Sequence, residues 1–215
     1  MIAAVLATLV TLPIWRLDGH YVSMATLALG YIVLSVIRGW DAVTKGAYGL
    51  SGIPAPEILG LRLLVAEDHY QLDLVVLAIT LFVVFRIRSS HLGNVLAAVG
   101  SDEIASRSLG LRTRGYKALA YALAAFFAGM AGALLAHQYN YLDPTVFTVQ
   151  MSVLVLTIVV LGGINSPFGA VLGSLALVGL PEALRLAPDV RILLYGIVVI
   201  AIIRFLPQGL WTRRA

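Results

Sequence analysis

Long apolar runs alternate with polar connections along this chain. The uncharged runs are residues 2–15, 21–37, 74–85, 118–142, 144–181 and 192–203. A helix needs roughly 20 apolar residues to cross a bilayer, and polar flanking residues can extend a shorter run into the headgroup region. The pattern therefore predicts an all-α, polytopic transmembrane helical bundle with about six to seven membrane segments.

Residues 86–117, here called the basic loop, separate two of these runs. In this loop the apolar residues that recur at helical spacing are Leu92, Val95, Leu96 and Val99. Spacing of i, i+3, i+4 and i+7 places side chains on one face of a helix. A short amphipathic helix is predicted here, and Gly100 is predicted to interrupt it.

A second short helix is predicted to follow in the basic loop. Ser101 is its predicted N-cap, and Asp102 and Glu103 place carboxylates where the helix dipole and the unpaired N–H groups favour them. Gly110 is its predicted end, and Thr113 is the predicted cap of a long helix beyond it. The residues predicted to share one face are Ile104, Ser108 and Leu109.

Residues 39–70, here called the outer loop, are too rich in turn-forming residues for a continuous helix. The turn formers are Gly46, Gly49, Gly52, Pro54 and Pro56. Acidic residues outnumber basic ones in this loop, whereas Arg and Lys predominate in the basic loop. Because Lys and Arg concentrate on the cytoplasmic side, the outer loop is expected outside and the basic loop inside.

Small residues recur four apart in two parts of the chain. In residues 118–142 they are Ala125, Gly129 and Ala133 on one line, and Ala128, Gly132 and Ala136 on another; later come Gly169 and Gly173. Such lines let helix backbones approach closely in lipid. Residues 144–181 are broken at Gly162 and Gly163 into two elements, which either both cross the membrane or form a re-entrant pair.

Composition supports a membrane protein. The chain has 215 residues, of which 60% are hydrophobic and 12% charged, against roughly a quarter charged in soluble domains. No shift in composition divides residues 1–215, so a single domain is predicted. The absence of cysteine excludes disulfides, thiolate metal sites and a cysteine nucleophile, and a net charge of +4 is small for nucleic-acid binding. Residues 2–15 lack the basic start of a signal peptide and are expected to be a clipped or short transmembrane helix.

No catalytic motif is present, so the chain is not expected to be an enzyme or to hold a cofactor or metal. There is no GxxxxGK, HExxH or GxSxG sequence. His137 is the one histidine within an uncharged run and is interpreted as an interfacial anchor. No Asp, Glu, Lys or Arg lies near the middle of a run, which argues against proton-coupled transporters and voltage-gated channels. From spacing alone, the basic loop is either a solvated connector or a dock for a soluble partner.

Several stretches together point to a family. Residues 97–136 resemble the cytoplasmic coupling loop and following helix of LivM-type permeases, which are membrane subunits of branched-chain amino acid ABC importers. Further matches are Gly162, Gly163, residues 181–185 and residues 204–210. The outer-loop positions that resemble the family are Trp40, Thr44, Gly46, Gly49, Leu50, Gly52, Ile53 and Pro54.

The resemblance implies a division of labour and two groups of functional residues. This chain would be one of two permease subunits, the other LivH-like, in a bacterial inner membrane. Two cytoplasmic ABC ATPases would dock on the basic loop, and a periplasmic binding protein would deliver solute to the outer loop. The coupling residues implied are Asp102, Glu103, Ile104, Ala105, Leu109 and Gly110, with Glu103 and Ala105 near the tip and Gly110 setting the bend.

Two departures from the family pattern and several alternatives accompany the resemblance. Family members usually carry more N-terminal helices, so an N-terminally truncated chain is expected, and they tend to have Arg where Gly100 stands. Substrate-binding residues are not identified. The alternatives are the same machinery importing urea or amides, and a non-transporting membrane scaffold or channel.

Overall fold

The structure is a computed structural model, and it describes residues 20–54, 57–58, 61–62, 66–163 and 166–179. These residues belong to two compact units, one ending at Thr148 and the other beginning at Val149. The predictions for residues 2–15, 181–185, 192–203 and 204–210 lie outside the described residues. The single-domain organisation stays a prediction.

The described part of the first unit contains three long helices and three short ones. The long helices are α1 (His20–Gly39), α3 (Ala66–Arg88) and α6 (Thr113–Tyr139). The short helices are α2 (Asp41–Thr44), α4 (His91–Ser101) and α5 (Glu103–Ser108), with 3-10 turns at Gly46–Tyr48 and Pro144–Val146. The helix ends differ from the ends of the uncharged runs. Helices α1 and α3 continue into polar residues at both ends, whereas α6 begins before its run and ends before Leu142.

Within the described residues, two helices are long and apolar enough to cross a membrane, His69–Arg88 and Thr113–Tyr139. A third span would result if the bent pair Val149–Gly162 and Pro167–Gly179 counts as one. The chain is therefore mostly helical with two or three candidate spans in its described part. The count of six to seven segments stays a prediction.

The outer loop contains short β-strands, which the sequence did not predict. Strand β1 (Leu50–Ser51) pairs antiparallel with β4 (Tyr141–Leu142), and β2 (Glu57–Ile58) pairs with β3 (Leu61–Arg62). Each strand has two residues, too few to show a period in the sequence. The β1–β4 pairing satisfies backbone groups of the outer loop with groups just beyond the end of α6.

The first helix of the basic loop continues through Gly100, so the predicted interruption is wrong. Val95 and Val99 are buried, as their spacing predicted, and α4 ends only at Ser101. A glycine inside a helix costs about 1 kcal/mol relative to alanine, which packed neighbours can offset. Extended backbone at Asp102, with φ −150° and ψ 105°, ends the helix instead.

Two predicted caps are also wrong. Asp102, not Ser101, caps α5, since its carboxylate accepts a hydrogen bond from the Ala105 N–H at 2.9 Å. The Ser101 hydroxyl donates back to the Ala98 carbonyl at 2.9 Å. Thr113 is the first residue inside α6, and Arg112 occupies the capping position without a side-chain bond. The predicted end at Gly110 fits its backbone, which has φ +82°.

Buried apolar side chains are few among the described residues. The buried hydrophobic residues are Val95, Val99, Leu161 and Leu177. Large apolar side chains such as Phe82 and Phe126 are exposed on the long helices. A surface this apolar is typical of a protein that faces lipid and other subunits rather than water.

In the second unit, α7 (Val149–Gly162) and α8 (Pro167–Ser174) lie at 120° across the break, and a π-helical turn follows at Leu175–Gly179. A Cβ at Gly162 would collide with the Gly169 backbone, and one at Gly173 would lie 2.5 Å from the Ile158 carbonyl oxygen. The helices therefore pack backbone against backbone. With 14 residues, α7 is about 21 Å long, shorter than the roughly 30 Å hydrocarbon core, which favours the re-entrant alternative.

Gly132 differs from these glycines. A Cβ added at Gly132 would have no heavy atom within 4 Å apart from its chain neighbours and the nearby backbone of its own helix. Its predicted role in helix packing therefore concerns a surface that the described chain leaves open.

We predict that Gly169→Ala destabilises the second unit, whereas Gly132→Ala does not. A methyl group at 169 must push the Gly162 backbone away, and overpacking of this kind costs about 1–3 kcal/mol. At Gly132 the methyl group has room, and the gain in helix propensity is up to about 1 kcal/mol. Thermal unfolding of each purified variant in detergent measures the difference. Equal shifts of the two midpoints would contradict the backbone contact.

Candidate functional site

The candidate site is α5 and the chain on either side of it. This helix has six residues, or about 9 Å. It begins at the Asp102 cap and ends in a turn where the Gly110 N–H donates to the Arg107 carbonyl at 2.9 Å. The Leu111 N–H then donates to the Ser106 carbonyl at 3.1 Å. The short helix is thus closed at both ends by local hydrogen bonds.

The Glu103 carboxylate joins α5 to the start of α6. Arg107 Nη2 donates to Glu103 Oε1 at 2.6 Å, and Lys117 Nζ, one turn into α6, donates to Oε2. The hydrogen bond from Lys117, with further contributions from Arg107, lowers the pKa of Glu103 from 4.5 to about 2. The carboxylate is therefore ionised at any physiological pH and holds both cations.

Thr113 completes this attachment. Its side chain is only 3% exposed, and its hydroxyl accepts a hydrogen bond from Arg107 Nε at 3.1 Å. Ser106, in α5, is equally buried. One face of α5 is therefore fixed against the first turns of α6.

Two exposed apolar residues lie at α5, Ile104 within the helix and Leu109 directly after it. Ile104 is 79% exposed and Leu109 is 82% exposed. Close to them lies a groove of about 330 Å³, lined by Gly110, Leu111, Arg112, Gly115, Tyr116 and Leu119. Exposed apolar side chains beside a groove are typical of a protein-binding surface.

Glu103 is the one predicted coupling residue that is partly buried, and it pairs with Arg107 and Lys117. The other five are exposed: Asp102, Ile104, Ala105, Leu109 and Gly110. Their role in coupling stays a prediction. The sequence analysis missed three residues of the attachment, Arg107, Thr113 and Lys117. The spacing of Glu103 and Arg107, four apart on a helix, could have indicated their ion pair. Lys117 is fourteen residues from Glu103, and the predicted turn at Gly110 did not specify which residues of the two helices it brings together.

The outer loop is built on the far end of α6. Gly49 has φ +69°, and a Cβ there would lie 2.5 Å from the Leu142 carbonyl oxygen. Leu50 pairs with Leu142 in the β1–β4 ladder, and Gly52 has φ +78°. Three predicted outer-loop residues therefore occupy positions where the chain turns or contacts backbone.

Trp40 and Pro54 of the outer loop form hydrogen bonds through their backbone carbonyls. Trp40 precedes α2, is half exposed, and its carbonyl oxygen lies 2.8 Å from the Thr44 hydroxyl. The Pro54 carbonyl lies 2.9 Å from His137 Nδ1, which must carry the hydrogen because a carbonyl only accepts. His137, interpreted as an interfacial anchor, thus binds the outer loop.

Comparison with known proteins decides the family. The family model described as "Branched-chain amino acid transport system / permease component" matches residues 1–203. The chain belongs to this permease family. LivM of Escherichia coli (strain K12), a high-affinity branched-chain amino acid transport system permease protein, is 33% identical over 233 residues, covering 98% of this chain and 55% of LivM.

Two further relatives match a shorter part of this permease-family chain. LivH of Escherichia coli (strain K12) is 33% identical over 144 residues, or 65% of this chain and 44% of LivH. BraD of Pseudomonas aeruginosa is 32% identical over 146 residues, or 65% of this chain and 45% of BraD. The chain spans about half the length of the curated relatives it matches. No solved structure matches it significantly.

The low pKa of Glu103 predicts how the attachment of α5 depends on pH. Because the folded pKa lies below the ordinary value of 4.5, the stabilisation is complete above about pH 4.5 and is lost as the pH falls toward 2. At pH 7, Glu103→Gln should reduce protection of the α5 amides roughly tenfold, as expected for loss of hydrogen bonds to a charged group. Near pH 2 it should match the wild type.

Hydrogen exchange followed by mass spectrometry and corrected for intrinsic rates measures this protection. Asp102→Asn is the matched control, because it removes the neighbouring carboxylate but keeps a side chain that caps helices equally well. A difference between Glu103→Gln and the wild type that persists unchanged down to pH 2 would contradict the assignment.

Proposed function

We propose that this chain is a membrane-spanning permease subunit of an ABC importer for branched-chain amino acids in a bacterial inner membrane. The observation that carries the proposal is the family match over residues 1–203, together with a relative of known name aligned over 98% of the chain. The apolar helices support a place in the bilayer. Neither a urea or amide importer nor a membrane scaffold is favoured by these matches.

The chain itself hydrolyses nothing, and two cytoplasmic ATPase subunits supply the energy. We infer that they dock on α5, since Ile104 and Leu109 offer an apolar surface there. The Glu103 attachment gives this dock a fixed position on α6. A helix fixed in this way passes on a movement of the ATPase as a rigid-body movement of the span behind it.

A second, LivH-like permease subunit completes the path through the membrane. The chain resembles both LivM and LivH relatives, which suits a pair of related subunits that pack side by side. The open line at Gly132 on α6 is a suitable contact surface, because small residues let the helices of two subunits approach closely. Solute arrives from a periplasmic binding protein at the outer loop.

Orientation in the membrane gives a direct test. From the basic residues of 86–117 we infer that this loop lies in the cytoplasm, so Ser108→Cys should resist a membrane-impermeant thiol reagent in spheroplasts. Tyr48→Cys, at an exposed position of the outer loop, should react at once. The chain has no cysteine, so no background labelling arises from it. Labelling of Ser108→Cys before permeabilisation would invert the assignment.

The dock is tested by placing a charge on its apolar surface. We predict that Leu109→Asp abolishes solute-stimulated ATP hydrolysis and ATPase copurification, because a buried unpaired carboxylate opposes binding. Ser101→Asp is the matched control, with the same charge added at an exposed position of the preceding helix. Activity is measured in proteoliposomes with the second permease, both ATPases and the binding protein. Wild-type hydrolysis by Leu109→Asp would show that the ATPases do not dock on this surface of α5. Failure of any ATPase to associate with the wild type would refute the proposed function.

A further inference from the structure

Helix α6 is fastened to a functional loop at each of its ends. At the inner end, Glu103 of α5 binds Lys117 of α6, and Arg107 of α5 donates to Thr113 of α6. These bonds join two elements separated by the turn at Gly110. The inner end of α6 and the exposed helix α5 therefore form one body.

The outer end has a separate set of bonds. Asn140 adopts a left-handed conformation with φ 53° directly after the helix, and its carbonyl accepts a hydrogen bond from the Ile53 N–H at 3.4 Å. In the orientation that satisfies its amide, Asn140 Nδ2 donates to the Ile53 carbonyl at 2.9 Å. His137 donates to the Pro54 carbonyl, and the Tyr141 hydroxyl donates to the Tyr48 carbonyl at 2.8 Å.

Between these two fastenings α6 is one unbroken helix. It has 27 residues, about 40 Å at 1.5 Å per residue, which is enough to cross the hydrocarbon core. No proline interrupts its sequence. A helix without a proline has no site for a sharp kink of that kind, so a displacement of one end can be passed on to the other.

We propose that α6 is the mechanical link between the cytoplasmic dock and the outer loop, with Lys117 the positioning residue at its inner end and His137 and Asn140 those at its outer end. The inference rests on the proposed function. Nucleotide binding at the dock shifts α5, the Glu103–Lys117 pair shifts α6, and the bonds of His137 and Asn140 shift the outer loop. Arrival of the binding protein at the outer loop acts through the same links in the opposite direction.

The test removes the side-chain hydrogen bonds at one end of α6 and measures the response at the other end. A fluorophore on Tyr48→Cys, in the complete assembly in proteoliposomes, reports movement of the outer loop when ATP is added. At equal amounts of assembled complex, Lys117→Met should reduce that response on the order of tenfold, within the range usual for coupling between sites. Lys117→Arg keeps the positive charge beside Glu103 and should restore the response.

The second experiment removes the side-chain hydrogen bonds at the outer end of α6. His137→Phe combined with Asn140→Gly keeps the ring volume and the left-handed backbone but removes both side-chain donors. At equal amounts of assembled complex, stimulation of hydrolysis by leucine-loaded binding protein should fall on the order of tenfold. Tyr139→Phe, an exposed neighbour, is the matched control and should leave stimulation unchanged.

The outcomes separate this inference from the proposed function. If the wild type hydrolyses ATP on stimulation but Lys117→Met moves the outer loop as the wild type does, the link is wrong and the function stands. The same holds if the wild type shows no movement at position 48. If no ATPase associates with the wild-type chain, the proposed function fails first and the link fails with it.

Discussion

The ionised carboxylate of Glu103 is the interaction on which the arrangement of the basic loop depends. It binds Arg107 within α5 and Lys117 in α6, so that a helix of six residues, too short to be stable alone, has a fixed position. Surface ion pairs contribute little when they stand alone, but here two cations and the Thr113 hydroxyl share one carboxylate. The exposed apolar side chains of α5 are consequently presented from a rigid base.

Bilayer chemistry explains the rest of the architecture. Backbone groups in lipid must be satisfied within the chain, and the long helices satisfy them. Two described segments outside the long helices have definite partners: Leu50–Ser51 of the outer loop pairs with Tyr141–Leu142, and the Gly162 backbone at the end of α7 packs against the backbone of α8. Glycine is needed at Gly162 and Gly169 because the two helix backbones touch there.

Hydropathy in the sequence predicted the long helices because apolar runs of this length have few alternatives. The amphipathic helix ending near Gly100 was also predicted, although not its end, since the choice between Ser101 and Asp102 as a cap depends on backbone angles. The strands of the outer loop and the Glu103–Lys117 pair could not be predicted. Both join residues far apart in sequence, and neither leaves a periodic pattern.

A covalent replacement of the Glu103–Lys117 pair tests the central claim most directly, and the absence of native cysteine makes it practical. With cysteine at both positions, solute-stimulated ATP hydrolysis in the complete assembly, built with cysteine-free partner subunits, should be lost. Bridging the two thiols with a short bis-methanethiosulfonate reagent should restore it, and reduction should abolish it again. Wild-type stimulation without the bridge, or no recovery with it, would contradict the claim that this attachment transmits the movement of the dock.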